Sequence, residues 1–462
     1  CSAIKRGLMK DRFGTDWSKI QGTRFWKQPQ LGRRMFFRHM ATAVSGYFLL
    51  PSRPMETVAK ASPSTIGTAK NVIFILMAGA PSHSDTFDLK EGPWTPAFMA
   101  PTSYGDLRFP QGIMPKIADQ LDSVALVRSV RAWAAVHALG QTWVQIGRNP
   151  TSSLARIAPH IGSVVSMELG PTSANRSLPA FLSLNANTGP GSGYLAPDNA
   201  PFYISPGGGG LGNSSHPNGN VVFDRRYGLL QEMDAETKES GALGTAVSEM
   251  AQFNLSARKL MYNGDIDKAF SFDQATKNLY GNSGFGNACI AARNLLKAKL
   301  GTRFIQISIG SWDHHTNIYA PSGQLQGLSR QFDSGVGQLL ADMKQDGTLD
   351  ETLIVAMGEF GRTVGPPNGQ NGRDHFLQQA VMMAGARIRG KRAIGSTDSE
   401  ARDIVDPGWS RDREIRPEDI EATIYSALGI DWTKQIDSPL GRAFEYVPFS
   451  SQDLYGPINE LW

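Results

Sequence analysis

The sequence predicts an α/β protein built on a mostly parallel central sheet with helices on both faces. Three observations carry this. Apolar runs at residues 69–80, 123–128, 179–184, 303–309, 352–357 and 379–384 are short and nearly unbroken, as in strands buried on both faces. Longer stretches with helical spacing separate most of them, and strand–helix–strand alternation implies parallel pairing. The runs at 303–309 and 352–357 each end in a cluster of charged and imidazole residues. Open α/β sheets collect their ligands beyond the carboxyl ends of their strands.

In chain order, residues 1–69 form a basic segment of their own. Residues 1–70 hold 13 of the 46 Lys and Arg and 3 of the 42 Asp and Glu, which leaves 33 and 39 for the remainder. A nucleic-acid-binding body carries its basic face on the folded domain, so this split argues against one. Arg33-Arg34, an apolar run at 40–50 and Ala59-Lys60-Ala61 have the form of a twin-arginine (Tat-like) export leader. That reading expects a periplasmic or extracellular protein, membrane-anchored if the leader stays on. Its protein partners would be in an envelope or membrane complex, met through residues 1–69. The alternative is an amphipathic surface helix. The run falls short of the roughly 20 residues a membrane span needs.

The body then begins. Strand 69–80 delivers Pro81 to Asp88. Residues 91–114 read as loop, 114–121 as a short helix, 123–128 as a second strand, and 137–146 and 157–169 as helices. Residues 185–222 are rich in Gly, Ser, Asn and Pro and read as a long loop insertion, a rim or lid. Residues 223–300 are mostly helical. The helix at 325–344 sets Leu328, Phe332, Val336, Leu339 and Leu340 on one face. The last helix, 417–428, has Pro at its start and Gly429 past its end.

Two cysteines, Cys1 and Cys289, leave no disulfide framework and no thiolate metal site. A metal would have to be held by His, Asp and Glu, which suits a divalent Zn, Ca, Mn or Mg ion. Five of the eight histidines follow an apolar run or open a helix behind one: His83, His137, His314, His315 and His375. Asp313, His315, Glu359, Asp374 and His375 make an oxygen–nitrogen ligand set, which His83 and Asp85 would complete. An ion there would polarise a phosphoryl, sulfuryl or carbonyl oxygen or ionise a water. The competing reading makes Glu359–Arg362 and Arg373–Asp374 ion pairs that tie loops together, with Asp88 in a cap or turn.

Several stretches together resemble the exported domain-of-unknown-function family fifteen-oh-one, which is related to sulfatases within the alkaline-phosphatase superfamily. They are APSHSDTFD (80–88), LVRSV (126–130), His137 before a helix, SWDHH (311–315), DETLIVAMGEFGRT (350–363), GRDH (372–375), GSTD (395–398) and RPEDIEATIYSALGI (416–430). The resemblance covers roughly residues 70–445. It implies an alkaline-phosphatase/sulfatase-like sandwich, two divalent metals and a nucleophile at a helix N-terminus. His137 stands at the nucleophile's position, with Ser129, just past the second strand, as a substitute. Asp313, His315 and His375 match the implied ligands best. The first strand departs from the pattern, with Met77-Ala78-Gly79 where an Asp is implied.

Two functions follow. One is an exported metal-dependent hydrolase acting on a small-molecule phosphate or sulfate ester. The other is a catalytically silent relative, kept as a scaffold or subunit of an envelope or extracellular assembly. A carbohydrate- or lipid-binding module would rest on the glycine-rich insertion alone.

Overall fold

The centre of the fold is Asn71–Met77 (β1), whose residues point alternately to two different cores. Ile73, Ile75 and Met77 enter one, and Val72, Phe74 and Leu76 the other. Both faces of a strand must be apolar for that, which is why the sequence shows a continuous run and no alternation. The protein is described by a computed structural model over residues 63–152, 157–240, 246–321, 323–437, 441 and 443–462. The twin-arginine leader and the expected anchoring role of residues 1–69 lie almost wholly outside the described residues. Among those described, no helix is long and apolar enough to cross a membrane.

The remaining strands of the main sheet are Val124–Arg131 (β2), Phe181–Leu184 (β3), Phe202–Ile204 (β4), Phe304–Ile309 (β5), Thr352–Met357 (β6), Gln378–Gly385 (β7) and Arg392–Ile394 (β8). Their spatial order is β8-β2-β7-β6-β1-β5-β3-β4. β1 pairs in parallel with β5 and β6, β3 with β5 and β4, and β2 with β8. β7 runs antiparallel to both of its neighbours. The expected mostly parallel α/β sheet is therefore present. The stretch read as a loop at 185–222 contributes β4 at one edge. The loop read at 91–114 contains a small hairpin, Pro101–Tyr104 with Leu107–Pro110.

Helices cover both faces. Gly284–Ala298 and Gln324–Gln345 pack on the Ile73/Ile75 side through Ala288, Leu295, Phe332, Val336 and Leu340. On the other side lie His137–Ile146 (α1), Ile161–Leu169 (α2) and Pro417–Ala427 (α3), through Val144, Val164, Ile420 and Ile424. Every residue of α3 is buried, so its three acids, Glu418, Asp419 and Glu421, need internal partners. Asp419 pairs with Arg413 at 2.7 Å, and Glu418 accepts both indole N–H groups of Trp133 and Trp143.

β1, β5 and β6 are parallel neighbours, so their carboxyl ends share one edge of the sheet. The segments that leave those ends, 78–88, 310–316 and 358–363, are brought side by side. A two-stranded ribbon, Gly361–Arg362 with His375–Phe376, folds the 373–376 segment back beside them.

Candidate metal centre

Segment 311–315 leaves β5 in an alternating pattern. Trp312 and His314 are buried, while Asp313 and His315 point out toward the sheet edge. The alternation decides between the adjacent histidines. His314 turns inward, where burial and the nearby Arg362 lower its pKa to about 4, and His315 reaches the site. The backbone here is tightly fitted. Ser311 and Ala80 hold positive φ angles of 73° and 61°, and Gly79 holds 103°. A Cβ on Gly79 would lie 2.7 Å from the Trp312 nitrogen and 2.8 Å from that of Asp313, so only glycine lets the two strand ends approach.

Four side chains converge at this edge: His137, Asp313, His315 and His375, with ligand atoms all within 4.8 Å of one another. Asp313 Oδ1 lies 3.2 Å from His137 Nε2, 2.8 Å from His315 Nε2 and 3.6 Å from His375 Nε2. His315 Nε2 and His375 Nε2 are 3.2 Å apart. Around an ion with bonds near 2.1 Å, tetrahedral ligand atoms sit roughly 3.4 Å apart. The observed spacings bracket that value.

The other face of each imidazole is held. His137 Nδ1 donates to Glu359 Oε1 at 2.6 Å, His315 Nδ1 to Asp374 Oδ1 at 3.0 Å, and His375 Nδ1 to the Ala135 carbonyl at 2.8 Å. Those bonds fix the proton on Nδ1 and leave three Nε2 lone pairs facing one carboxylate oxygen. The Arg362 guanidinium answers two of these acceptors, Asp313 Oδ1 and His315 Nε2, and those it does not reach repel their neighbours unless a cation lies among them. His137 Nε2 is also a buried atom without a hydrogen-bond donor. Carboxylate and carbonyl acceptors behind imidazole ligands are the usual outer support of a metal site. The residues present therefore fit a divalent ion, and three nitrogens with one carboxylate suit zinc or a similar borderline metal.

The supporting charges are themselves anchored. Glu359 is buried and also accepts from Gln141 Nε2 and the Gly79 N–H, each at 3.0 Å. The hydrogen bond from His315, and after it those from Asn368, which brackets Asp374, lower that carboxyl's pKa. Arg362 is fully buried and donates to Asp313 Oδ1 at 2.5 Å and to His315 Nε2 at 3.3 Å. Partial burial alone would raise the Asp313 pKa. Arg362, with His137 and His315, overrides it and sets the pKa at about 2.

The other sequence candidates lie elsewhere. Asp85 is buried in an ion pair with Arg373 at 2.6 Å and accepts from Tyr319 and Ser82, each at 2.6 Å. His83 has both ring nitrogens engaged, Nε2 with the Ala401 carbonyl at 2.9 Å and Nδ1 with the Arg362 N–H at 3.4 Å. Both serve as loop anchors, and neither is among the four side chains that converge at the sheet edge. Ser129 donates to the Pro407 carbonyl at 2.7 Å and is buried on β2, away from the four-residue group. Glu359 and Asp374 hold histidines and are not members of the group. The expected loop-tying pairs also exchange partners: Arg362 meets Asp313, and Arg373 meets Asp85. Gln141 and Gly79, at positions where the family resemblance implies an arginine and an aspartate, support the site through Glu359, and the Ala135 carbonyl supports it without any sequence signal, because backbone atoms belong to no ligand pattern.

Among solved structures, the chain is similar to Ps i-CgsB in complex with k-i-k-neocarrahexaose, at 13% identity and a TM-score of 0.40, over 84% of this chain and 77% of that one. It is similar to the lipoteichoic acid synthase LtaP from Listeria monocytogenes, at 10% identity and a TM-score of 0.36, over 79% and 73%. It is also similar to the C-terminal periplasmic domain of EcEptC from Escherichia coli, in complex with Zn, at 8% identity and a TM-score of 0.38, over 85% and 96%. No curated protein matches the chain. The family described as "Protein of unknown function (DUF1501)" matches residues 69–454, which takes in the whole sheet and all four converging side chains. The chain belongs to that family.

Proposed function

We propose that the chain is a metal-dependent hydrolase of phosphate or sulfate esters. One observation carries the reading: three Nε2 atoms, each with its Nδ1 proton tied down, surround a single carboxylate oxygen at the carboxyl edge of the sheet. With four side chains in its shell, a divalent ion there would supply Lewis acidity toward a phosphoryl or sulfuryl oxygen or a water by expanding to a fifth position. His137, Asp313, His315 and His375 hold it. Glu359 and Asp374 orient His137 and His315 and make them better donors. The side chains of His137, His315 and Asp313 are 27%, 41% and 44% exposed, so substrate can reach the group. α1 starts without a side-chain cap, so the positive end of its dipole would favour the oxygens of an anionic ester held near His137. The proposed hydrolysis uses water directly, since His137 serves as a ligand and Ser129 is committed to Pro407.

The test is hydrolysis of 4-nitrophenyl phosphate and 4-nitrophenyl sulfate by zinc- or manganese-loaded protein. Turnover of either, abolished in His315→Ala and His375→Ala, supports the reading. Stoichiometric metal with no turnover of either ester would leave a metal-bearing scaffold and overturn the hydrolase. Export through the Arg33-Arg34 leader is part of the proposal. Arg33→Lys/Arg34→Lys retaining the protein in the cytoplasm would support it, and unchanged export would remove it.

A further inference from the structure

Beside the metal group lies a cavity of about 600 Å³. That is within the range of small-molecule sites, roughly 300–1,000 Å³. Seven neutral polar side chains, Gln141, Thr142 and Gln145 among them, line it beside apolar ones such as Leu76, Ile146 and Pro190, and no charged side chain is among the described residues that line it. The cavity and the metal group share α1. His137 begins that helix, Ala138 and Gln141 line the cavity, and Gln141 also holds Glu359, the acceptor of His137.

The amides are oriented in advance. His160 Nδ1 accepts the Gly162 N–H at 2.8 Å, so its Nε2–H donates to Gln306 Oε1 at 2.7 Å. Gln306 Nε2 then donates to Gln145 Oε1 at 3.1 Å, and Gln145 Nε2 to the Gln141 carbonyl at 2.8 Å. Gln145 and Gln306 are buried, so the chain has one direction and little freedom to reverse. Such a lining discriminates. An anion would be desolvated with no opposite charge to meet it, and an apolar group would strip water from amides and hydroxyls without replacing their bonds. A ligand with many neutral hydroxyl groups satisfies both conditions.

We propose that this cavity binds the uncharged, hydroxyl-rich part of the substrate, a sugar or comparable polyol, and so sets the hydrolase's preference. As a statement about substrate it rests on the hydrolase reading, with the charged ester group at the metal and the neutral group against Gln141 and Gln145.

Saturation-transfer NMR on metal-loaded protein tests it with the methyl glycosides of glucose, galactose, xylose and fucose. Inorganic phosphate and 1-hexanol serve as charged and apolar probes, and metal content is measured on the same samples. Thr142→Trp and Gly191→Trp fill the cavity from two sides. A Cβ at Gly191 meets nothing within 4 Å, so at least that variant should fold. The proposal expects transfer to one or more glycosides, lost in whichever variants retain wild-type metal content. No transfer to any glycoside by protein that holds metal would overturn it. Transfer that survives both variants, or that 1-hexanol or phosphate displaces, would also overturn it. Glycoside binding by protein that takes up no metal would support the cavity assignment while sinking the metal reading, so the two failures are distinguishable.

Discussion

Glu359→Gln is the most informative single change, because it alters charge and leaves shape nearly intact. The carboxylate accepts from three donors: His137 Nδ1, Gln141 Nε2 and the Gly79 N–H. A glutamine offers one acceptor oxygen to them and places an NH2 group where a second acceptor stood. The bond to His137 changes from charge-assisted to neutral, and charge-assisted bonds are about twice as strong. The loss for that bond is about 0.5–2 kcal/mol, on a scale where neutral bonds are worth roughly 1 and charged ones 1.5–3. Freer rotation of the imidazole adds to it. Together they give a decrease in zinc affinity of about tenfold to a hundredfold, the range found for outer-sphere partners of metal-bound histidine. The assay is competition for zinc against a chromophoric chelator at pH 7.5. Ser129→Ala, whose hydroxyl bonds Pro407 away from the group, is the control and should bind zinc as wild type does. Unchanged affinity in Glu359→Gln, or an equal loss in Ser129→Ala, would refute the orientation argument.

Three further predictions follow from the same geometry. Burial of Glu421 raises its pKa to about 8, above an unfolded value near 4.5. The folded state therefore holds a proton that the unfolded state releases between those values, so this group lowers stability as pH rises from about 4.5 to 8, by up to roughly 4–5 kcal/mol. Glu421→Gln should raise the melting temperature at pH 8.5 and leave it unchanged at pH 4; an equal gain at both would contradict the assignment. Asp85→Ala strands the buried Arg373 charge and should cost about 3–5 kcal/mol in urea unfolding of the metal-free protein. Loss of metal without loss of apo stability would instead make Asp85 a ligand. Gly79→Ala forces a Cβ against the Trp312 and Asp313 nitrogens at an unfavourable φ, and should weaken zinc binding and lower the melting temperature together. Wild-type behaviour in both would show that the strand ends can separate freely.

The fold was readable because β1, β5 and β6 are buried on both faces, which leaves an unbroken apolar signature in each. Short edge strands carry less signature. Phe202–Ile204 lies inside a Gly- and Asn-rich stretch and is paired on one side only, so it reads as loop. At the site, residue type identified the acids and histidines that gather at the sheet edge. It could not separate those with a free ligand atom from those that hold them. Glu359 and Asp374 have the same chemistry as Asp313, and the difference arises from which imidazole nitrogen each one faces. Asp85 and His83 also have ligand chemistry, but Arg373, Tyr319 and Ala401 reach them from parts of the chain up to 318 residues away. No local pattern records such partners.

The proposed hydrolase needs one ion held by His137, Asp313, His315 and His375. Elemental analysis of protein purified without added metal or chelator, combined with X-ray absorption of the zinc-loaded form, tests this most directly. The expected result is about one metal per chain with three imidazole nitrogens and one oxygen near 2.0–2.1 Å, lost in His137→Ala, His315→Ala and His375→Ala and kept in His83→Ala. Metal that persists through the three substitutions, or that disappears with His83, would contradict it.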